Sequence, residues 1–177
     1  ALELAGQLGK PALVLTFEPH PRTVFQPGNP VFRLTPASLK AELLAAIGFH
    51  AVVEQGFSRD FAAINADDFV HDILIGGLGV THVVTGFDFH FGKNRQGGPA
   101  FLMAAGERGG FKVTLVDAFR DEDGTVISSS RIRDFLALGD VVSAAGLLGC
   151  RYLVEAKVEQ GKQLGRTLGY PTANMRL

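Results

Sequence analysis

Cysteine is nearly absent: Cys150 stands alone in 177 residues. A single thiol excludes an internal disulfide and a thiolate cage for a metal, and it suits a reducing compartment. It reads as a small core residue. Long apolar runs are also missing, the longest falling well short of the roughly 20 residues that cross a bilayer, and no signal peptide is visible. Neither sign of charge is in excess, because 17 Lys and Arg stand against 18 Asp and Glu for a net charge of −1. No basic stretch offers an electrostatic footprint for nucleic acid or an anionic membrane, so neither is an expected partner. Together these absences point to the cytoplasm. An initiating methionine is lacking too, and the sequence opens in mid-pattern with Ala1-Leu-Glu-Leu-Ala5. An upstream segment is expected.

What is present is a 46% hydrophobic chain with 20% charged residues, sufficient for one globular domain with a real core and a fragment of another. The spacing predicts a helix over 1–8 that stops at Gly9-Lys-Pro11, then a short apolar strand over 12–17. Thr35 as N-cap, Pro36 at the first position and Gly48 past the end mark a helix between them. Strands are predicted over 51–54, 82–86 and 111–116, a broken helix pair over 60–64 and 66–75, and a helix over 99–108. Apolar strands alternating with helices argue an α/β domain built on a doubly wound parallel sheet.

Three polar loops follow strands of this pattern, and in open α/β sheets ligands bind at that edge. In Glu18-Pro-His-Pro21 two prolines hold His20 with little entropy to lose, although an incidental surface histidine fits the same residues. In Gly86-Phe-Asp-Phe-His-Phe-Gly92, an extended backbone would put the phenylalanines on one side and Asp88 and His90 on the other. Lys93, Asn94 and Arg95 then lie among glycines that let backbone approach a ligand. Aromatics suit a flat heterocycle and the cations its phosphate; an aromatic core with a glycine hairpin is the plainer alternative. The third loop, Ile127-Ser-Ser-Ser-Arg-Ile-Arg133, follows a turn at Asp121-Glu-Asp-Gly124 and opens a helix. Unpaired amides at a helix start, serine hydroxyls and a guanidinium can bind a phosphate. Capping serines with ordinary surface arginines would look alike.

The three loops in this order, together with Gly161-Lys-Gln-Leu-Gly-Arg-Thr-Leu-Gly-Tyr-Pro-Thr-Ala-Asn174, resemble the bacterial bifunctional riboflavin kinase/FAD synthetase family. The resemblance implies a nucleotidyltransferase (Rossmann-like) domain over 1–150 and the start of a β-barrel riboflavin kinase domain over 151–177. It implies transfer of AMP from ATP to FMN with Mg²⁺, giving FAD and pyrophosphate, and phosphorylation of riboflavin to FMN by the full-length protein. Carried onto this chain, Ser129, Ser130 and Arg133 contact the ATP phosphates, with Ser128 beside them. Phe17, Pro19, His20, Pro21, Asp88, Phe89 and Arg95 line the flavin side. In the kinase signature Thr172 and Asn174 are binding residues, and Thr172 is the metal ligand.

Two departures accompany the match. The family's Gly-x-Phe-Asp-Gly-x-His-x-Gly-His segment, which binds ATP, would lie upstream of Ala1, and none of the five histidines forms a substitute. The kinase module stops after one expected strand over 152–158 and its signature. The chain is therefore expected to lack its first strand and to be incomplete for both activities. Two other readings are a nucleotidyltransferase acting on another phosphorylated acceptor and a non-catalytic flavin or nucleotide binder. Arg131 and Arg133 lie about 200° apart around a helix, so only one can face a given phosphate. Arg133 is expected there, with Arg131 in solvent or a surface ion pair.

Overall fold

The computed structural model describes residues 1–161, 168–170 and 172–175. Helix α1 (Leu2–Leu8) ends as its sequence predicts, on Gly9 in the left-handed conformation, and leads into β1 (Leu13–Glu18). Pro21 starts a short helix, α2 (Pro21–Phe25), and α3 (Ala37–Ile47) follows a connecting loop. The α3 boundary corrects the expectation by one residue. Pro36, extended at φ −55° and ψ 160°, is itself the N-cap, and no side chain caps the helix. Strand β2 (Ala51–Gly56), α4 (Arg59–Ala62) and α5 (Ala66–Asp68) come next.

The second half of the predicted helix pair is not α-helical beyond its first turn. Phe69–Gly77 forms a π-helix, closed by Leu78 N–H donating to the Ile73 carbonyl at 2.9 Å. Gly76 and Gly77 make the wide turn possible, because a Cβ on either would press on the carbonyls of His71 and Asp72, at 3.1 and 3.2 Å. Strand β3 (His82–Gly86), α6 (Pro99–Gly109), β4 (Lys112–Val116), α7 (Ser129–Ala137) and α8 (Val141–Leu148) complete the alternation. Cys150, expected in the core, is exposed, since Gly149 turns the chain away from α8 in the left-handed conformation. The strand expected over 152–158 is confined to β5 (Val158–Glu159), which pairs antiparallel with β6 (Asn174–Met175).

β1 pairs with β2 in parallel, Leu13 opposite Ala51 through Glu18 opposite Gly56. β3 pairs with β4 in parallel, His82 opposite Lys112 through Gly86 opposite Val116. The sequence predicts one continuous sheet, but among the described residues each pair stands as a separate two-stranded sheet. An apolar run favours a strand whichever strand lies beside it and so does not name neighbours; nor are these strands covered on both faces, since Leu13, Leu115 and Val116 are exposed. Between the pairs lies a cleft of about 490 Å³, walled by Val14 and Leu15 of β1, Val83 and Val84 of β3, and Leu4 and Leu8 of α1.

Both pairs nevertheless share one core. Ala66, Phe69, Val70, Leu74, Phe91, Leu102, Ala105 and Phe111 form its buried centre, and Leu15 and Phe17 from one pair and Val83 and Val113 from the other pack onto it. A chain of phenylalanine rings runs through it from Phe25 to Phe57, Phe17, Phe61, Phe69 and Phe91, with centroids 4.9 to 6.4 Å apart. Aromatic pairs at these separations add about 0.5–1.5 kcal/mol each beyond the area they bury.

The loop between α2 and α3 carries no regular structure and is held by side chains. Arg33 donates to both oxygens of Glu18, at 2.8 and 2.5 Å, and Val31 N–H donates to the Thr23 hydroxyl at 3.3 Å. Both members of the ion pair are half-buried, and Arg33 holds the Glu18 carboxyl below its usual range. A lowered carboxyl pKa contributes stability that is present above the unfolded value, near 4.5, and lost as pH falls through the folded value. Glu18→Gln should thus destabilise the protein by about 1 kcal/mol at pH 7, and the gap should close in thermal melts run progressively below pH 4.5. At Gly92 the backbone is left-handed at φ 73°, and a Cβ would lie 2.8 Å from the Ala66 nitrogen. Gly92→Ala should cost about 2–4 kcal/mol in urea unfolding, from the disfavoured backbone and the overlap together.

Candidate functional site

The three sequence loops meet the structure differently. After β1, Pro19 is exposed and His20 and Pro21 are half-buried. His20 caps α2, its Nδ1 accepting the Arg22 N–H at 3.2 Å. A neutral ring that accepts at Nδ1 carries its proton on Nε2, which is left as a donor. Burial lowers the His20 pKa, and the positive charges of Arg33, Arg133 and Arg22 lower it further. The ring is accordingly neutral at pH 7.

The serine loop behaves as its sequence predicts. The turn at Asp121 closes with Gly124 N–H donating to the Asp121 carbonyl at 3.0 Å. Ser128 is the N-cap of α7, its Oγ accepting the Arg131 N–H at 3.3 Å. Ser129 and Ser130 are exposed on the first turn, where backbone amides have no partner inside the helix. The two arginines part as the helical rotation requires. Arg131 pairs with Asp121 at 2.6 Å, and its guanidinium lies 5.9 Å from the Phe135 ring centroid. Arg133 points the other way, its Nε donating to the Phe32 carbonyl at 2.7 Å. With Nε engaged, the two terminal nitrogens remain to meet a ligand. Burial first, then the charges of Arg22 and Arg33, lower its pKa, yet an arginine remains a cation at any working pH.

His20, Arg22, Arg33 and Arg133 are therefore gathered beyond the carboxyl end of β1. Glu18, the carboxylate among them, is already committed to Arg33. Three guanidinium groups against one carboxylate make this a region that attracts an anion, and its half-buried setting weakens screening by solvent.

The phenylalanine loop departs from its expected form. The segment is not extended: Phe87 and Asp88 form a turn, with Phe89 N–H donating to the Gly86 carbonyl at 3.2 Å. Phe87 is consequently exposed, Phe89 half-buried and Phe91 buried, rather than all on one side. Phe89 stacks on Phe91 with centroids 5.4 Å apart, and Phe17 lies edge-on to Phe57. Asp88 is exposed. Arg95, exposed and left-handed at φ 58° beside Asn94 at φ 55°, approaches His90 Nδ1 at 3.3 Å. Among the described residues no hydrogen bond or ion pair joins Asp88 or Arg95 to His20 or Arg133, so the structure brings two of the loops into one cluster and leaves the third on the shared aromatic core. Thr172 is exposed just before β6 and Asn174 is exposed within it, over Gly161; Pro171 of the same signature lies outside the described residues.

Three residues escaped the sequence reading. Arg22 and Arg33 carry no helical or strand periodicity, and the only signal was two basic residues flanking a proline-rich loop. Phe25, 56% exposed at the end of α2, could have been found as an aromatic one helical turn beyond Pro21.

Residues 1–131 match the family model described as FAD synthetase, and residues 148–177 the one described as riboflavin kinase. Curated relatives named bifunctional riboflavin kinase/FMN adenylyltransferase include those of Escherichia coli strain K12, 38% identical over 94% of this chain and 53% of the relative, and Haemophilus influenzae, 40% identical over 98% and 56%. A crystal structure described as a macrolide-efflux protein from Streptococcus pneumoniae superposes with a TM-score of 0.82 at 29% identity, covering 99% of this chain and 57% of that one. The chain spans about half the length of the curated relatives it matches. Among the described residues no helix is long and apolar enough to cross a membrane. On a family match that covers most of its residues, and in agreement with the order of its motifs, the chain belongs to the FAD synthetase family.

Proposed function

We propose that residues 1–150 act in transferring AMP from ATP to FMN, giving FAD and pyrophosphate, within a protein that also phosphorylates riboflavin to FMN. The observation that carries this reading is the convergence of Arg133, His20 and the exposed first turn of α7 beyond the carboxyl end of β1. In the reaction a phosphate oxygen of FMN forms a bond to the α-phosphorus of ATP while the bond to the β-phosphate oxygen breaks, and pyrophosphate leaves with the electron pair. The nucleophile is already an anion near neutral pH, so no protein base has to remove a proton. What the protein supplies is alignment and stabilisation of charge on the leaving group. The Arg133 terminal nitrogens, the α7 amides and the Ser129 and Ser130 hydroxyls are donors of the right kind, with Ser128 holding the helix start.

On the flavin side, neutral His20 offers its Nε2–H to the FMN phosphate, with Pro19 and Pro21 restricting the loop. Asp88 and Arg95 are the exposed polar groups for the flavin, while Phe17 and Phe89 support that side from the aromatic core and Phe25 adds an exposed ring. The cleft between β1 and β3 is apolar and bounded by two parallel pairs. A strand laid in it would unite them as one doubly wound nucleotidyltransferase sheet, and the family's histidine-containing ATP segment is the occupant this reading assigns. Residues 151–177 would begin the barrel of the kinase domain, a reading supported by the antiparallel β5–β6 pair. There the exposed Thr172 hydroxyl and Asn174 amide oxygen are hard donors suited to Mg²⁺, which commonly takes few protein ligands and completes its shell with phosphate and water. The ion would neutralise phosphate charge as transfer proceeds.

In the complete protein, Arg133→Ala should lower kcat/KM for FAD synthesis by about 2–4 kcal/mol, the scale for losing a preorganised donor to developing charge. Arg131→Ala should cost about 1 kcal/mol or less, as for an ordinary surface ion pair. Steady-state FAD formation followed by pyrophosphate release would measure both. A larger loss at Arg131 than at Arg133 would overturn the assignment.

A further inference from the structure

The loop between α2 and α3 is held at its far side by the segment that leads from α8 to β5. The Phe32 ring packs on Tyr152 with centroids 6.5 Å apart and planes at 49°. Just beyond the loop, in the first turn of α3, the Ser38 hydroxyl donates to the Glu155 carboxylate at 2.8 Å, across 117 residues of sequence. On its near side the same loop accepts the Arg133 Nε–H through the Phe32 carbonyl at 2.7 Å. One residue thus meets α7 through its main chain and the connecting segment through its side chain. Arg33, next along, is clamped to Glu18 at the end of β1, so the loop cannot yield at that point.

We propose that Tyr152, supported by Glu155, is a positioning residue for adenylyl transfer: by packing on Phe32 it fixes the carbonyl that orients the Arg133 guanidinium toward the ATP phosphates. The inference rests on the reading of Arg133 as a phosphate ligand and adds a residue from the kinase-matching segment to it. A half-exposed loop with no hydrogen-bonded regular structure has many conformers of similar energy, and a ring packed at a tilt against one side selects among them. Removing the Tyr152 ring releases the Phe32 peptide on one side only, so Arg133 remains present but spends less time aimed at its ligand. A misplacement of this kind weakens the contact to the developing charge without deleting the guanidinium. The two sites would be coupled by direct contact through a short chain of named groups, with no global change of shape.

The test uses the complete protein. Tyr152→Ala should lower kcat/KM for ATP roughly five- to tenfold, with KM for FMN essentially unchanged, whereas Tyr152→Phe, which keeps the ring, should behave as the unaltered enzyme. Phe32→Ala should match Tyr152→Ala, and the double variant should be no worse than either alone, because both remove one contact. In an Arg133→Ala background, Tyr152→Ala should add nothing. Should Tyr152→Ala not accumulate as folded protein, Tyr152→Leu at unchanged melting temperature takes its place with the same expectation. An unchanged kcat/KM for ATP, effects of Phe32→Ala and Tyr152→Ala that multiply, or a matching rise in KM for FMN would overturn the proposal. If instead Arg133→Ala leaves kcat/KM for ATP intact, the reading of Arg133 itself fails, and the two failures are told apart.

Discussion

Packing between phenylalanine rings is the constraint on which the arrangement of this chain depends. No hydrogen bond ties the β1–β2 pair to the β3–β4 pair among the described residues, so their relative placement rests on Phe17, Phe61, Phe69 and Phe91 meeting in sequence across the core. Rings are large and stiff, with two side-chain torsions each, so they transmit position well for the entropy they lose. The same rings carry the loops. Phe17 immediately precedes Glu18 at the end of β1, and Phe91 anchors the turn that exposes Phe87 and Asp88. Buried Leu102 and Phe111 close the layer from α6 and from the residue before β4.

Above this apolar frame, the polar groups are divided between fixing and meeting. Glu18 and Arg33 satisfy one another and set the loop between α2 and α3, while Asp121 occupies Arg131. His20 uses Nδ1 to start a helix and Arg133 uses Nε to grip a carbonyl. Each is oriented by one nitrogen, and among the described residues no hydrogen bond engages the His20 Nε2 or the Arg133 terminal nitrogens. A side chain tethered in this way loses less freedom on binding than one that is free to rotate, which is the basis of preorganisation.

Much of this was legible in the sequence because it is local. Gly9 and Gly48 as helix stops, the serine cap at Ser128, the turn at Asp121-Gly124 and the four principal strands all follow from spacing within a few residues. The opposite bearings of Arg131 and Arg133 follow from helix geometry alone. What escaped was long-range or required an energy comparison. Arg33 finds Glu18 across 15 residues and Arg133 finds Phe32 across 101, and no local pattern encodes either. The π-helix replaces an α-helix because Gly76 and Gly77 tolerate wide turns, a choice the apolar periodicity of Phe69, Val70 and Leu74 does not reveal. Cys150 is apolar enough to suit a core, but its place after Gly149 puts it in solvent. The alternating phenylalanines after Gly86 suggested an extended ribbon, and the turn at Phe87-Asp88 distributed them over three depths instead.

The acceptor that holds Arg133 is a main-chain atom. A side-chain acceptor can be deleted by a single codon change, whereas a carbonyl survives any replacement at position 32. The acceptor atom thereby outlasts any mutation at its residue, and the orientation of Arg133 depends instead on how the loop is carried, the contact of the Phe32 ring with Tyr152 included. Change at the surface around Phe32 can then loosen the grip by degrees without erasing it, because the carbonyl stays in place while the loop that carries it shifts.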